Sequence, residues 1–285
     1  MKIFTAAQIH ELDNYTITHE PIKSIDLMER AAKTITRAIM DEWTDRTPMV
    51  IFAGPGNNGG DSLAVARLLA EENYKVSVYL FNIHNKLSDD CAANKQRLID
   101  SKRVGHFTEV TLNFDPPELT EDMVVIDGLF GSGLNKPLIG GFASLVKYIN
   151  QCPAKVVSID IPSGLMCEDN TYNIHSNIIR ADLTLTLQQK KLSMMMADCQ
   201  KYIGRLRVLD IRLSKEYIDK TEANCRILEE QDVRRLLMPR DDFAHKGAMG
   251  NALIIAGSYG MAGAAVLATR ACLRSGVGKV TVHTP

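Results

Sequence analysis

The chain has 285 residues, 45% hydrophobic and 24% charged, which excludes a fibrous or disordered protein and leaves ample chain for a buried core. Its 33 basic and 34 acidic residues give a formal net charge of −1, so neither nucleic acid nor a membrane is expected as a partner. Six scattered cysteines without a Cys-x-x-Cys pair make a poor disulfide framework and a poor zinc site, and they fit a reduced cytoplasm.

The N-terminus, Met1 to Thr5, lacks the apolar stretch of a signal peptide, so a cytoplasmic protein is expected. The first 46 residues read as helical: Leu12, Ile17 and Ile22 are isolated, whereas Ile25, Leu27, Met28, Ala31, Ala32, Ile35 and Ile39 recur at helical spacing. Ser24 and Asp26 suit the start of the second helix, as cap and first-turn anion. From Met49 the pattern alternates. Strands are expected at 49–53, 75–81, 123–127, 155–160, 182–187 and 205–211, with helices at 61–72, 88–101 and 142–150. Short β-branched runs alternating with helices predict a three-layer, Rossmann-like α/β fold with a mostly parallel sheet behind the N-terminal helices. After Ile211 a polar stretch, Ser214 to Asn224, reads as a helix and linker. The uncharged run between Lys246 and Arg270 is punctuated by five glycines, so it reads as a strand at 252–256, a turn and a helix rather than a membrane span. A last strand follows at 279–283.

Three loops that follow predicted strands carry the candidate chemistry. Ile51-Phe-Ala-Gly-Pro-Gly-Asn-Asn-Gly-Gly-Asp61 runs from a strand through a glycine turn into a helix, an arrangement that presents free backbone amides to an anion. It satisfies Gly-x-Gly-x-x-Gly, yet the next strand ends in Leu80-Phe-Asn82, without the carboxylate that holds a ribose. Asp127 ends a second strand before Gly128-Leu-Phe-Gly-Ser-Gly-Leu-Asn135, and Asp160 ends a third before Ile-Pro-Ser-Gly164. In a parallel sheet all the carboxyl ends share one edge, so Asn58, Asp127, Asp160 and Ser163 are expected to converge there. Amide, hydroxyl and carboxylate oxygens without His or Cys argue against zinc and iron and suit a hard cation, with potassium among those compatible with one carboxylate. Met194-Met-Met196 reads as core or loop filler, and Lys190-Lys191 as a solvated pair or a phosphate contact.

Together these loops, with Leu27-Met-Glu-Arg-Ala31, resemble the NAD(P)H-hydrate epimerase family, the YjeF N-terminal domain, over about residues 1–220. A second resemblance, from His245-Lys-Gly247 through Leu253-Ile-Ile-Ala-Gly-Ser-Tyr-Gly-Met-Ala-Gly263 to Pro285, is to the start of the ribokinase-like ADP- or ATP-dependent NAD(P)H-hydrate dehydratase. The resemblance implies an epimerase domain at 1–222 and an incomplete dehydratase domain at 223–285. It also implies hydrated NADH or NADPH as substrate, a homodimer or higher homo-oligomer, and ADP or ATP only with a complete dehydratase domain. Asn57, Asn58, Gly59, Gly60 and Asp61, the loop Gly131, Ser132, Gly133, Leu134, Asn135, Lys136 and Pro137, and Asp160 would contact the substrate. Asn58, Asp127 and Ser163 would ligate a potassium ion. Two departures stand out: Ser62 replaces a glycine usual after Asp61, and Gln188-Gln189 replaces a common Ala-Pro before the paired lysines.

The implied chemistry interconverts the R and S hydrates at C6. The ring nitrogen can expel the C6 hydroxyl to give an iminium that water re-enters from either face, or the ring can open at C6. Either route needs an acid/base group and negative charge, and Asp160 is the candidate for both. A Rossmann-type NAD(P)-dependent oxidoreductase and a non-catalytic nucleotide- or partner-binding module are the alternatives, disfavoured by the missing ribose carboxylate and by Asp160 respectively.

Overall fold

The computed structural model describes residues 1–237 and 239–285 and divides into two compact units, Met1–Ile227 and Leu228–Pro285. The first unit opens with β1 (Lys2–Ile3), α1 (Ala6–His19) and α2 (Ser24–Met40). The alternating part follows as β2 (Met49–Ala53), α3 (Asn57–Glu71), β3 (Val76–Phe81), α4 (Asp89–Ser101), β4 (His106–Val110), β5 (Val124–Gly128), α5 (Gly140–Gln151), β6 (Lys155–Ile159) and β7 (Leu183–Leu187). It closes with α6 (Gln200–Ile203), β8 (Arg205–Leu209), α7 (Lys215–Lys220) and β9 (Cys225–Arg226). Among the described residues no helix is long and apolar enough to cross a membrane.

Seven strands form one parallel sheet in the order β4-β3-β2-β5-β6-β7-β8. Strand order reverses between β2 and β5, because the chain leaves β2 toward β3 and β4 and returns to the other side of β2. Loops from the carboxyl ends of β2 and β5 diverge there and leave a crevice, the usual ligand position of an open α/β sheet. The register sets Ala53 opposite Gly128 and Asp127 opposite Ser158. Alternation divides the core by face. Met49, Ile51, Ala53 and Ile126 pack under α2, α3 and α4, while Val50, Phe52 and Val125 pack under α5.

Several expectations need correction. Helix α3 begins at Asn57 rather than Asp61, with Gly59 and Gly60 inside it. Glycine weakens helices in general, but a Cβ on Gly59 would sit 1.7 Å from the Gly54 carbonyl oxygen, so close packing onto the loop overrides propensity. Ser24 is not the cap of α2: it is already helical, Lys23 precedes it, and its hydroxyl donates to Asp90 Oδ2 at 2.5 Å. Asp26 does sit in the first turn. β4 has no counterpart among the expected strands, since this edge strand is mostly half-exposed and lacks an apolar run. Strand β8 stops at Leu209 rather than Ile211, and Ile211 instead joins Leu213, Phe4, Leu12, Leu27 and Ala31 in a cluster beneath α1.

In the second unit, β10 (Asn251–Ile255) and β11 (Lys279–His283) pair in parallel, α9 (Gly263–Arg274) connects them, and α8 (Glu230–Leu236) lies upstream. All six cysteines are free thiols. The expected boundary at 222 precedes β9, whose residues Cys225 and Arg226 pair antiparallel with Ile3 and Lys2. Because residues 1–227 hold the whole seven-stranded sheet, this fragment is expected to unfold cooperatively by itself. A fragment ending at 222 strips β1 of its partner and should unfold at lower denaturant concentration, as far-ultraviolet circular dichroism would report.

Candidate active site

At the carboxyl edge of the sheet, over the β2/β5 crevice, lies a cavity of about 590 Å³ lined by α1, the start of α2, the glycine loop and the segments that follow β5, β6 and β7. Asn57, Asn58, Asp61, Gly131, Ser132, Gly133, Leu134 and Asp160 line it. Gly59 and Gly60 lie behind the wall, buried in α3. Asn135, Lys136 and Pro137 are not among the lining residues, and Asn135 and Lys136 are exposed. No side chain caps the first turn of α3, whose N-terminus opens on the cavity at Gly56, Asn57 and Asn58.

Asp160 stands just past β6 in the left-handed region, with φ +64°. Its N–H donates to the Leu185 carbonyl at 2.9 Å, and its Oδ1 accepts the Leu187 N–H at 3.2 Å. The carboxylate is therefore tied to β7 rather than capping the turn that follows it. Oδ1 also accepts a short hydrogen bond from Lys191 Nζ. Lys191 donates further to Thr186 Oγ1 at 2.8 Å and to the Leu187 carbonyl at 3.3 Å, and only 1% of it is exposed. The reading of Lys190-Lys191 as a solvated or phosphate-binding pair fails for Lys191. Its three protons are engaged inside the protein, while Lys190 is half-buried. A buried ammonium needs this counter-charge, and removing either partner typically costs about 3–5 kcal/mol.

Sequence reasoning missed Asp13. It sits on α1 in an apolar stripe, Ile9-Asp13-Ile17, whose isoleucines pack on the cluster beneath the helix. A carboxylate at i+4 between two apolar positions was the signal that could have found it. Burial, reinforced by the charge of Asp160 and opposed by Lys191, pushes the Asp13 carboxyl up to about 7. Asp61 is likewise raised well above its ordinary value, by burial first and then by Asp160, Asp13 and Asp90. Neither carboxyl has a hydrogen-bond partner among the described residues. The cavity thus contains an ion-paired carboxylate, a carboxyl that titrates near neutrality and a third raised by burial and by its like-charged neighbours. Environments that separate like groups in this way mark acid/base sites.

Beneath the cavity, fully buried Asp127 accepts from Ser158 Oγ at 2.7 Å, Ser163 N at 2.8 Å, Ser163 Oγ at 2.5 Å and Leu129 N at 3.3 Å. Burial raises its carboxyl, and these donors offset only part of the rise. Ser163 Oγ in turn accepts the Phe130 N–H at 2.9 Å. The Asn58 side chain lies against Gly131, where a Cβ would come within 3.1 Å of it, and its buried Nδ2 has no partner. Asn58, Asp127 and Ser163 therefore meet around the 128–131 loop. Among the described residues no group of three His, Cys, Asp or Glu side chains is placed to hold a metal ion.

The raised Asp13 carboxyl has a signed consequence for stability. The native state holds that proton more tightly than the unfolded chain, so the associated stability is present below about pH 3.8 and is lost as pH rises toward about 7. Asp13→Asn removes the buried charge. The variant should match the wild type in acid and melt at a higher temperature above pH 7, as a pH series of thermal unfolding would measure.

Residues 24–193 match the family profile described as YjeF-related protein N-terminus, and residues 252–285 match that of NAD(P)H-hydrate dehydratase. The chain is 32% identical over 282 residues to the bifunctional NAD(P)H-hydrate repair enzyme Nnr of Coxiella burnetii, covering 99% of this chain and 56% of that one. It is 32% identical over 206 residues to the NAD(P)H-hydrate epimerase of Limosilactobacillus fermentum, covering 72% of this chain and 95% of that one. The crystal structure of yeast ynu0 superposes with a TM-score of 0.62 at 20% identity, covering 77% of this chain and 93% of that one, a likeness of fold. The chain spans about half the length of the bifunctional relatives it matches.

Proposed function

The chain belongs to the family of the YjeF-related protein N-terminus, and on that premise we propose that it repairs nicotinamide nucleotides by epimerising the R and S hydrates of NADH or NADPH at C6. The observation that carries the reading is Asp160, buried against Lys191 yet open to the cavity, with the Asp61 carboxyl, raised by burial, on the same cavity wall. The ring nitrogen's lone pair expels the C6 hydroxyl as a carboxyl donates a proton to it, and the resulting cation lies beside the Asp160 charge. Water then adds to C6 as a carboxylate takes its proton, which restores the hydrate in either configuration. The free amides at the N-terminus of α3 suit the pyrophosphate, and Asn57 and the Gly131–Leu134 loop would orient the substrate over Asp160. For the whole protein, dehydration of the S hydrate with ADP or ATP is the activity suggested by residues 252–285, and assembly as a homodimer or higher oligomer is part of the same proposal.

Potassium fits the residues present. Asn58, Asp127 and Ser163 offer amide, carboxylate and hydroxyl oxygens, a hard donor set with one full charge, and the unpartnered Asn58 amide leaves that side chain free to turn. When bound, the ion would add positive charge beneath the loops and favour the anionic part of the substrate. Wild-type protein should melt at a higher temperature in potassium chloride than in choline chloride of equal ionic strength. Asp127→Asn should abolish the difference, and a wild type indifferent to the salt would remove the ion from the proposal.

Asp160→Asn should lower epimerisation by roughly a hundredfold or more, with substrate binding less affected. The measurement starts from one purified epimer and subtracts spontaneous conversion. Since this substitution strands the Lys191 ammonium, Asp160→Asn/Lys191→Met serves as companion. It should recover thermal stability without recovering turnover, and a double variant that turns over like the wild type would exclude Asp160 from the chemistry.

A further inference from the structure

We propose that Asp13 is a second proton-transfer group of this site, placed on the α1 wall while Asp160 occupies the sheet edge, so that the C6 oxygen leaves by one carboxyl and returns by the other. The proposal rests on the epimerase reading and goes beyond it.

Inversion at one carbon requires a hydroxyl to leave one face of the ring and water to add to the opposite face. A single carboxyl can serve both only if it swings around the ring or the ring turns over. Asp160 is not free to swing, because its Oδ1 is fixed by the Leu187 N–H and the Lys191 ammonium. Asp13 comes from a different element of the same cavity, and its carboxyl has no hydrogen-bond partner among the described residues. The helix that carries it is anchored. Thr5 and Gln8 form a capping box, the Ala6 N–H donates to Glu168 Oε1 at 2.5 Å, and Thr16 Oγ1 accepts the Ser214 N–H at 2.9 Å. A carboxyl set in an apolar helix stripe with no partner is a poor structural element, costing stability unless a ligand meets it.

The charged and titratable groups around Asp13 are Asp160 after β6, Lys191 after β7, Asp61 on α3 and His10 on its own helix, with Asp90 on α4 behind Asp61. Asp61 lies on the α3 wall, where burial and the nearby Asp160, Asp13 and Asp90 charges raise its carboxyl well above its ordinary value. Asp13 titrates near 7, so it can both give and accept a proton at working pH. In one direction protonated Asp13 gives its proton to the departing hydroxyl, the C6–O bond breaks, and the ring nitrogen's lone pair forms the C=N bond. Water then adds to C6 from the other side, its proton passes to the Asp160 carboxylate, and the electron pair returns to nitrogen. One water leaves and one enters, nothing is oxidised, and exchange with solvent resets the two carboxyls. The reverse reaction uses the same pair with roles exchanged. Both directions therefore require one proton shared between two carboxyls, and kcat/KM should fall as pH rises through about 7 in each.

The test begins with wild-type protein and each purified epimer. If neither is converted above the spontaneous rate, the epimerase reading fails before Asp13 is at issue. With wild-type turnover in hand, Asp13→Asn should lower kcat by roughly a hundredfold or more, with a smaller change in KM. The alkaline limb near pH 7 should vanish from its kcat/KM profile, and Asp13→Glu should recover part of the rate. The expected rise in thermal stability of Asp13→Asn above pH 7 separates this loss from misfolding. Turnover within roughly threefold of wild type, or a variant that keeps the alkaline limb, would overturn the proposal.

Discussion

The ion pair between Lys191 and Asp160 organises the site. An ammonium with 1% exposure cannot remain charged in the interior without a carboxylate and further acceptors, and Asp160, Thr186 and the Leu187 carbonyl supply them. To bring these groups together the backbone takes left-handed turns at Asp160, with φ +64°, and at Gln188, with φ +56°. The Gln188 side chain then accepts the N–H groups of Ile211 and Leu213 at 3.1 and 3.2 Å. Those residues pack with Leu12 beneath α1. The placement of α1, and hence of Asp13 in the cavity, thus traces back through Gln188 to the pair at the end of β6.

Electrostatics follows from the same arrangement. Three carboxyls, Asp13, Asp61 and Asp160, share one cavity with a single buried ammonium. Of these carboxyls Lys191 bonds only that of Asp160, so the other two face desolvation and a like charge, and both are raised. An ion-paired carboxylate and two carboxyls raised by burial arise here from one residue type. The separation depends on where each backbone segment ends rather than on side-chain identity, which is why Asp127 behaves differently. It receives four protein donors beneath the floor of the cavity, and these tie Ser158, Ser163 and Leu129 together around it.

The parallel sheet was legible in the sequence because its strands are short apolar runs between helices. Asn58, Asp127, Asp160 and Ser163 could be placed at one edge for the same reason: each follows a strand whose carboxyl end is fixed by the fold. Two errors have physical causes. Glycines 59 and 60 read as a turn because glycine disfavours helices, yet α3 needs them to approach Gly54 and Met28 closely. β4 escaped notice because an edge strand half in solvent carries no apolar run.

By itself, then, the sequence determined the fold class, the edge where ligands meet it and the oxygen-rich character of the loops, since all three follow from local pattern and strand direction. Only the tertiary structure decided that Lys191 is buried and paired, that Asp13 turns into the cavity, and that burial raises the carboxyls of Asp13 and Asp61. Desolvation and charge proximity depend on groups brought together from residues 13, 61, 160 and 191, and no local pattern along the chain records those distances.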